Sequence, residues 1–367
     1  MQIDAKAFAL GNALRAYLAG RGVIGGGEIT AGPYLTFASA KPFNISINNA
    51  KKMWEGILEY STDTETWDEW DGTTTITSEK HSGWQKIYMR GTGNTRISGD
   101  YYPLPSYHWV LTGSNIHCVG NIENLLDYQT VLTGNHPTMN SGCYGYLFYQ
   151  CESLITAPEL PATTLVASCY ESMFGGTGLT TAPELPATTM KTSCYRSMFS
   201  KCKRLITAPA LPAKTMEYAC YAVMFGYCES LVTAPELPAT SLNTSCYGSM
   251  FVGCTSLKVA PKLPATNLKK DCYKGMFEGC TSLTALPKLS ATNLATYCYI
   301  LMFNGCTNIK LSAVKTEEYT VAYRIPATGS GTQDESVKNM FADTGGTFTG
   351  TPEINTTYYL HKDNAVV

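Results

Sequence analysis

The sequence predicts an α+β protein: an N-terminal helix, then an antiparallel β-sandwich, then a solenoid of about seven 26-residue repeats. Three observations carry that prediction. Apolar residues recur at heptad spacing near the start, short alternating runs fill residues 33–120, and one motif returns from Cys143 onward. The boundaries follow from them. Residues 1–28 read as a docking or oligomerisation helix with a Gly-rich linker, and 29–142 as a β-sandwich-like domain and connector. The repeats occupy 143–311, and a degenerate repeat with a C-terminal cap occupies 312–367.

The helix rests on Ile3, Ala7, Leu10, Leu14 and Tyr17, spaced 4, 3, 4, 3 along one seam. A helix this short is marginal alone, so it packs on another protein, on a second copy of the chain, or on its own β-domain. "GRGVIGGGE" at 20–28 reads as a flexible linker, which favours docking. The start of the chain makes a poor secretory signal, because Asp4 replaces a basic residue and Lys6 and Arg15 interrupt any apolar run.

Residues 33–120 carry "YLTFAS", "FNISIN", "GILEYSTD", "TTTITS", "QKIYMRG" and "HWVLTG", separated by turn residues, the pattern of an antiparallel sandwich. "STDTETW" (61–67) resembles a degenerate Asp-box hairpin, a structural motif, with Glu65 in place of its usual Gly. Trp54, Trp67, Trp70, Trp84 and Trp109 are either a carbohydrate-stacking platform or sandwich core, and large aromatics more often fill cores. Asp63, Asp68, Glu69 and Asp71 gather oxygen ligands of the kind Ca²⁺ takes. They lack a Dx[DN]xDG loop, which favours a solvated acidic turn.

Copies of "CYxxMFxxC…APxLPATxL" begin at Cys143, Cys169, Cys194, Cys220, Cys246, Cys272 and Cys298, and a weak echo, "SVKNMFADTGGTF", spans 336–348. A period in this range means one supersecondary unit per repeat. Cys, Met-Phe and the second Cys stand near helical spacing, so the motif reads as a short helical turn with one buried face. "LxxAPxLP" reads as an irregular strand, because proline donates no ladder bond. Phe148 to Phe303 recur once in each of the seven copies and Leu160 to Leu289 once in each of the first six, and they form two columns of core.

The wording of "MFEGCTSLTALP" (276–287) resembles the BspA-type leucine-rich repeats of Bacteroidales surface proteins, a family whose relatives extend to their phages. The resemblance covers about 143–311 and extends weakly to the preceding segment. It implies a leucine-rich-repeat-like solenoid and adhesion to surfaces, and no reaction.

The fourteen cysteines are Cys118 and thirteen in the repeats. Zinc sites need convergent ligands at short spacing. Here the pairs are CxxxxxxxC, and no His lies between Cys143 and Cys306. A helix would separate the paired Cα atoms by roughly 12 Å, beyond the ~7 Å reach of a disulfide, although a turn would shorten that distance. The second copy keeps Cys169 and loses its second Cys, whereas obligate partners would vanish together. The favoured reading is a small buried hydrophobe stacked in columns.

No phosphate loop, GxSxG or HExxH is present, and no cofactor is expected. With 15% charged residues and a net charge of -2 the chain has no footprint for nucleic acid, and no apolar run reaches the length of a membrane span. One row does vary. Between proline and leucine of "APxLP" stand Glu159, Glu184, Ala210, Glu236, Lys262 and Lys288, acidic at one end and basic at the other, with Lys258 strengthening the basic end. Repeat arrays commonly bind along such a face. The expectation is a non-enzymatic adhesion or structural protein. It would be carried at a virion surface as a phage tail or capsid fibre, spike or decoration protein, and would serve receptor binding. Its partners would be other virion or surface-assembly proteins through the N-terminal helix, a host surface glycan or protein through the repeats, and a second copy as a homo-oligomer. The alternative is a BspA-like adhesin on the bacterial cell surface.

Overall fold

The structure is a computed structural model that describes residues 32–81, 83–98, 107–327 and 333–367. The seam of Ile3, Ala7, Leu10, Leu14 and Tyr17 and the linker after it lie outside the described residues. In chain order, β1 (Leu35–Ser39), β2 (Asn44–Ile47), β3 (Ile57–Ser61), β4 (Asp68–Glu69), β5 (Ile76–Thr77), β6 (Glu79–His81), β7 (Trp84–Thr92), β8 (Trp109–Thr112) and β9 (Ile116–Val119) precede α1 (Asn124–Leu132). The repeats contribute β10 (Leu154–Thr156) and β11 (Ala285–Leu286). Beyond them lie β12 (Lys310–Ser312), β13 (Tyr319–Arg324), α2 (Gln333–Ser336), β14 (Gly345–Gly346), β15 (Thr357–His361) and β16 (Ala365–Val366).

These elements overturn the expected fold class. The described residues are mostly short strands and turns, α1 is their one helix of more than four residues, and none of the four sheets forms a solenoid. The N-terminal half builds a seven-stranded sheet in the order β10-β9-β1-β7-β3-β4, with β6 also on β7, and a three-stranded sheet in the order β5-β2-β8. Their shared core holds Phe37, Ile45, Trp70 and Trp109, all fully buried. The C-terminal end carries a four-stranded sheet, β13-β15-β12-β14, and the pair β11-β16.

Between those ends, apart from the short β10 and β11, the copies are neither helix nor strand. They are tight turns stacked on one another. In the second copy Ser168, Tyr170, Ser172, Phe174 and Gly176 donate their N–H groups to carbonyls of the third copy, Thr192, Cys194, Arg196, Met198 and Ser200, at 2.8–3.0 Å. The alternate residues Glu171, Met173, Gly175 and Thr177 bond back three residues within their own copy at 3.0–3.2 Å. From Ser168 to Thr177 every backbone donor is thus satisfied, half of them locally and half between copies. The later copies repeat the scheme, and isolated parallel bridges such as Thr207↔Thr233 and Ser241↔Asn267 join the opposite side.

The price of this backbone is a left-handed residue at every fourth position. Ser168, Ser172 and Gly176 have φ of 53, 53 and 73°, and the sixth copy matches with Asp271, Gly275 and Gly279 at 55, 55 and 71°. Buried residues four apart are therefore compatible with recurring turns as well as with a helix, which is why the motif reads as helical. An L-residue in this region costs about 1–2 kcal/mol. At Gly279 an added Cβ would meet only Gly253 Cα and N, both at 3.7 Å, ordinary contacts. Gly279→Ala is therefore expected to lower the unfolding free energy by about 1 kcal/mol through backbone strain alone. The reverse exchange in the same column, Lys201→Gly at φ 63°, should move the urea midpoint the other way. Equal shifts of one sign would contradict the assignment.

Side chains complete the stack. Phe148, Phe174, Phe199, Phe225, Phe251, Phe277 and Phe303 lie near-parallel with centroids 5.7–5.8 Å apart. A second column runs from Tyr144 to Tyr299 at 5.5–5.9 Å. The echo at 336–348 is a further layer: Phe341 stacks on Phe303 at 5.4 Å, and Tyr299, Leu301 and Phe303 donate to the carbonyls of Ser336, Lys338 and Met340. Both ends are closed. Phe148 meets Trp109 and Phe37, and β10 extends the sheet of β9. At the far end Tyr323 packs edge-on against Phe341 and donates its hydroxyl to the Pro287 carbonyl.

Candidate functional site

All fourteen cysteines are buried free thiols. Those of the second column have a defined task that sequence reasoning missed. Cys202, Cys228, Cys254, Cys280 and Cys306 donate Sγ–H to the carbonyls of Phe174, Phe199, Phe225, Phe251 and Phe277 in the preceding copy, at 3.0–3.1 Å. In the first copy Cys151 donates likewise to the Trp109 carbonyl, at 3.0 Å, so the β-domain stands in for a preceding copy. Where the motif lacks this Cys, Thr177 and Thr344 donate Oγ1–H instead to a carbonyl three residues back in their own copy, Phe174 and Phe341, at 2.8 Å. The Cys-to-Thr exchange at these two places was the available signal: both residues are small donors. Burial pushes the Cys202 thiol up to about 11 and the Cys254 and Cys306 thiols up to about 12. These groups stay protonated and are not nucleophiles at neutral pH.

The varying row lies outside this core. Glu159, Glu184, Glu236, Lys258, Lys262 and Lys288 are all exposed, and the five that stand inside "APxLP" each adjoin a buried leucine. Glu184 and Ala210 line one shallow groove of about 340 Å³ together with Pro183, Pro186, Pro209 and Pro212, so successive members of the row are neighbours. Glu159 sits where the stack meets the β-domain, its N–H on the Gly120 carbonyl and its own carbonyl accepting from Ile122. Although the residue is exposed, the abutting chain removes water from one side. That desolvation, and secondly the charge of Glu184, raise its carboxyl above the usual range. At the basic end Lys288 donates its N–H to the Val367 carbonyl. Beside the row Ile206, Val232 and Val259 leave 43–49% of their surface in water.

The tryptophans do not assemble a platform. Trp54, Trp70 and Trp109 are core, and Trp67 and Trp84 are half-buried. Trp67 lies 4.6 Å from Tyr34 and 4.0 Å from the Arg90 guanidinium, which Glu59 holds through bonds of 2.8 and 3.1 Å. The chain's own arginine fills that aromatic cluster. The acidic hairpin closes on itself as well. Asp63 accepts from the N–H groups of Glu65 and Thr66 at 2.8 and 2.9 Å, and these bonds, that of Thr66 first, lower its carboxyl to about 2. Asp71 accepts from Thr73 N–H at 2.8 Å. Among the described residues no group of three or more His, Cys, Asp or Glu side chains is placed to hold a metal ion, and no helix is long and apolar enough to cross a membrane.

No family model, curated protein or solved structure matches the chain.

Proposed function

We propose that the protein is a non-enzymatic adhesion or structural component, carried on a phage particle, that binds a host-surface glycan or protein through the charged row of its repeats. One observation carries this reading. The Phe, Tyr and Leu shared by the copies are buried in columns, whereas the residues between proline and leucine, which change from Glu to Lys along the repeats, stand exposed in one row. A straight exposed row on a rigid support, graded from Glu159 to Lys288, offers position-specific contacts to an extended ligand. The buried thiols and the self-satisfied acids offer no nucleophile and no paired acid and base. The heptad-spaced residues of 1–20 would supply attachment to the particle, and the wording of the repeats supplies the Bacteroidales host.

Two measurements test the proposal. Mass spectrometry of purified particles should find the chain, and its absence would remove the virion assignment. Fluorescently labelled protein should bind host cells. Reversing Glu184 and Glu236 to Lys together with Lys262 and Lys288 to Glu should weaken that binding at least about tenfold. These exposed sites leave the core untouched, so undiminished binding would rule out the row.

A further inference from the structure

We propose that a cavity away from the row, where the β2–β3 loop and the segment after β7 meet the start of the first repeat, binds an acidic saccharide, a sugar bearing a carboxylate or a sulfate ester. The cavity has a volume of about 570 Å³ and its wall includes Lys51, Lys52, Trp54, Arg96, Tyr107 and Asn140. That size falls within the range of small-molecule sites.

Charge selects the class. Among the described residues three cationic side chains line the cavity against one acid, Glu55. Lys52 lies 3.9 Å from Glu69, but both are exposed and a pair of this kind holds loosely. Lys51 places its ammonium 5.0 Å over the Tyr107 ring, which orders the lysine at the wall. Arg96, whose Nε donates to Ser98 Oγ at 3.4 Å, adds a planar guanidinium of the kind that pairs with carboxylates and sulfates.

The site is also built. The turn that delivers the two lysines is left-handed at consecutive non-glycine residues, Asn49 and Ala50, with φ of 64 and 41°. It is tied down by the Asn48 N–H on the His108 carbonyl, at 3.1 Å. Trp54 is 5% exposed, and its indole N–H has no hydrogen-bond partner. A buried donor left unpaired costs free energy, and because the nitrogen has next to no accessible surface, a ligand oxygen would reach it only after a shift of the Trp54 side chain. On the facing wall Asn140 donates its side-chain amide to Thr95 Oγ1 at 2.8 Å and its N–H to the Thr95 carbonyl at 2.9 Å, which fixes a polar edge. The Tyr107 ring beside cations and amides suits a sugar carrying an anion better than a bare ion.

The test is calorimetric titration of the full chain with trigalacturonate, a sulfated disaccharide, neutral trigalactose and inorganic sulfate. At least one acidic sugar should bind, more weakly as salt rises from about 0.05 M to about 0.3 M. Lys51→Gln with Lys52→Gln, and separately Arg96→Gln, should each weaken that binding at least about tenfold. Glu184→Lys in the row should leave it unchanged, so this site and the row succeed or fail separately. Lys51 and Lys52 are exposed, and a thermal melt checks that their variant keeps its fold. Four results would overturn the inference: no acidic sugar binds at millimolar concentration, neutral trigalactose binds equally, inorganic sulfate binds as tightly as the sugars, or the lysine variant binds like the native chain.

Discussion

Titrating the reduced protein from pH 8 to pH 11 is expected to unfold it cooperatively between about pH 9 and 10. All fourteen thiols are buried, and loss of water is the first cause that raises each of them. The unfolded chain releases these protons near the ordinary value of 9.0, and the folded chain holds them to about 11 for Cys202 and about 12 for Cys246 and Cys254. A group whose pKa is raised by folding contributes its full stability below the unfolded value and loses it as pH rises toward the folded one. One unit above 9.0 that loss is about 1.4 kcal/mol for each thiol. Multiplied over fourteen cysteines it is about 20 kcal/mol, against a usual total of about 5–15. The buried tyrosines Tyr144 to Tyr299 and Tyr323 add losses of the same sign at higher pH. Circular dichroism in the presence of a phosphine reductant reads the transition, and native signal persisting at pH 11 would contradict the burial described. Replacing Cys228, Cys254 and Cys280 by Thr, as nature has at Thr177 and Thr344, should move the midpoint upward.

Phe251→Ala should produce the largest loss of any single substitution in the stack, about 3–5 kcal/mol. The side chain is fully buried, with Phe225 and Phe277 each 5.7 Å away, so no exposed neighbour can close the hole. Because each layer touches only the two beside it, the damage should also divide the molecule. Urea unfolding followed by hydrogen exchange should then show two steps. Residues N-terminal to the substitution should keep protection with the β-domain, and those beyond it with the C-terminal sheets. A single transition shifted by less than about 1 kcal/mol would mean that the column does not carry the stack.

The columns were legible in the sequence because identical side chains at a fixed period have no other economical explanation. Phe148 to Phe303 and Leu160 to Leu289 are buried as their recurrence implies. The backbone was misread. Cys246, Met250 and Cys254 stand four apart, and that spacing fits a helix as well as a recurring turn. The discriminating residues were their neighbours Ser245, Ser249 and Gly253, which occupy the left-handed region that glycine tolerates freely and that few other residues enter. The exposed row was legible for a different reason. At the site beside the buried leucine, charge changes from Glu to Lys between copies and every member is exposed, although the rule is not general, since the column of Glu171 and Lys274 also changes sign and Glu171 is buried. What no pattern reveals is the cavity at Lys51 and Arg96. Its wall comes from segments 45 residues apart, brought together only by the strands between them.

Closure at both ends has a consequence for how such a chain varies. The junctions between Cys194 and Cys298 are nearly interchangeable, while the first and last layers are fitted to unlike partners, Trp109 on one side and Tyr323 on the other. Copies can therefore be gained or lost only from the interior, where the new neighbours already match. Each such event changes the distance between two fixed terminal pieces by one increment, so recombination within the repeated stretch acts as a length adjustment.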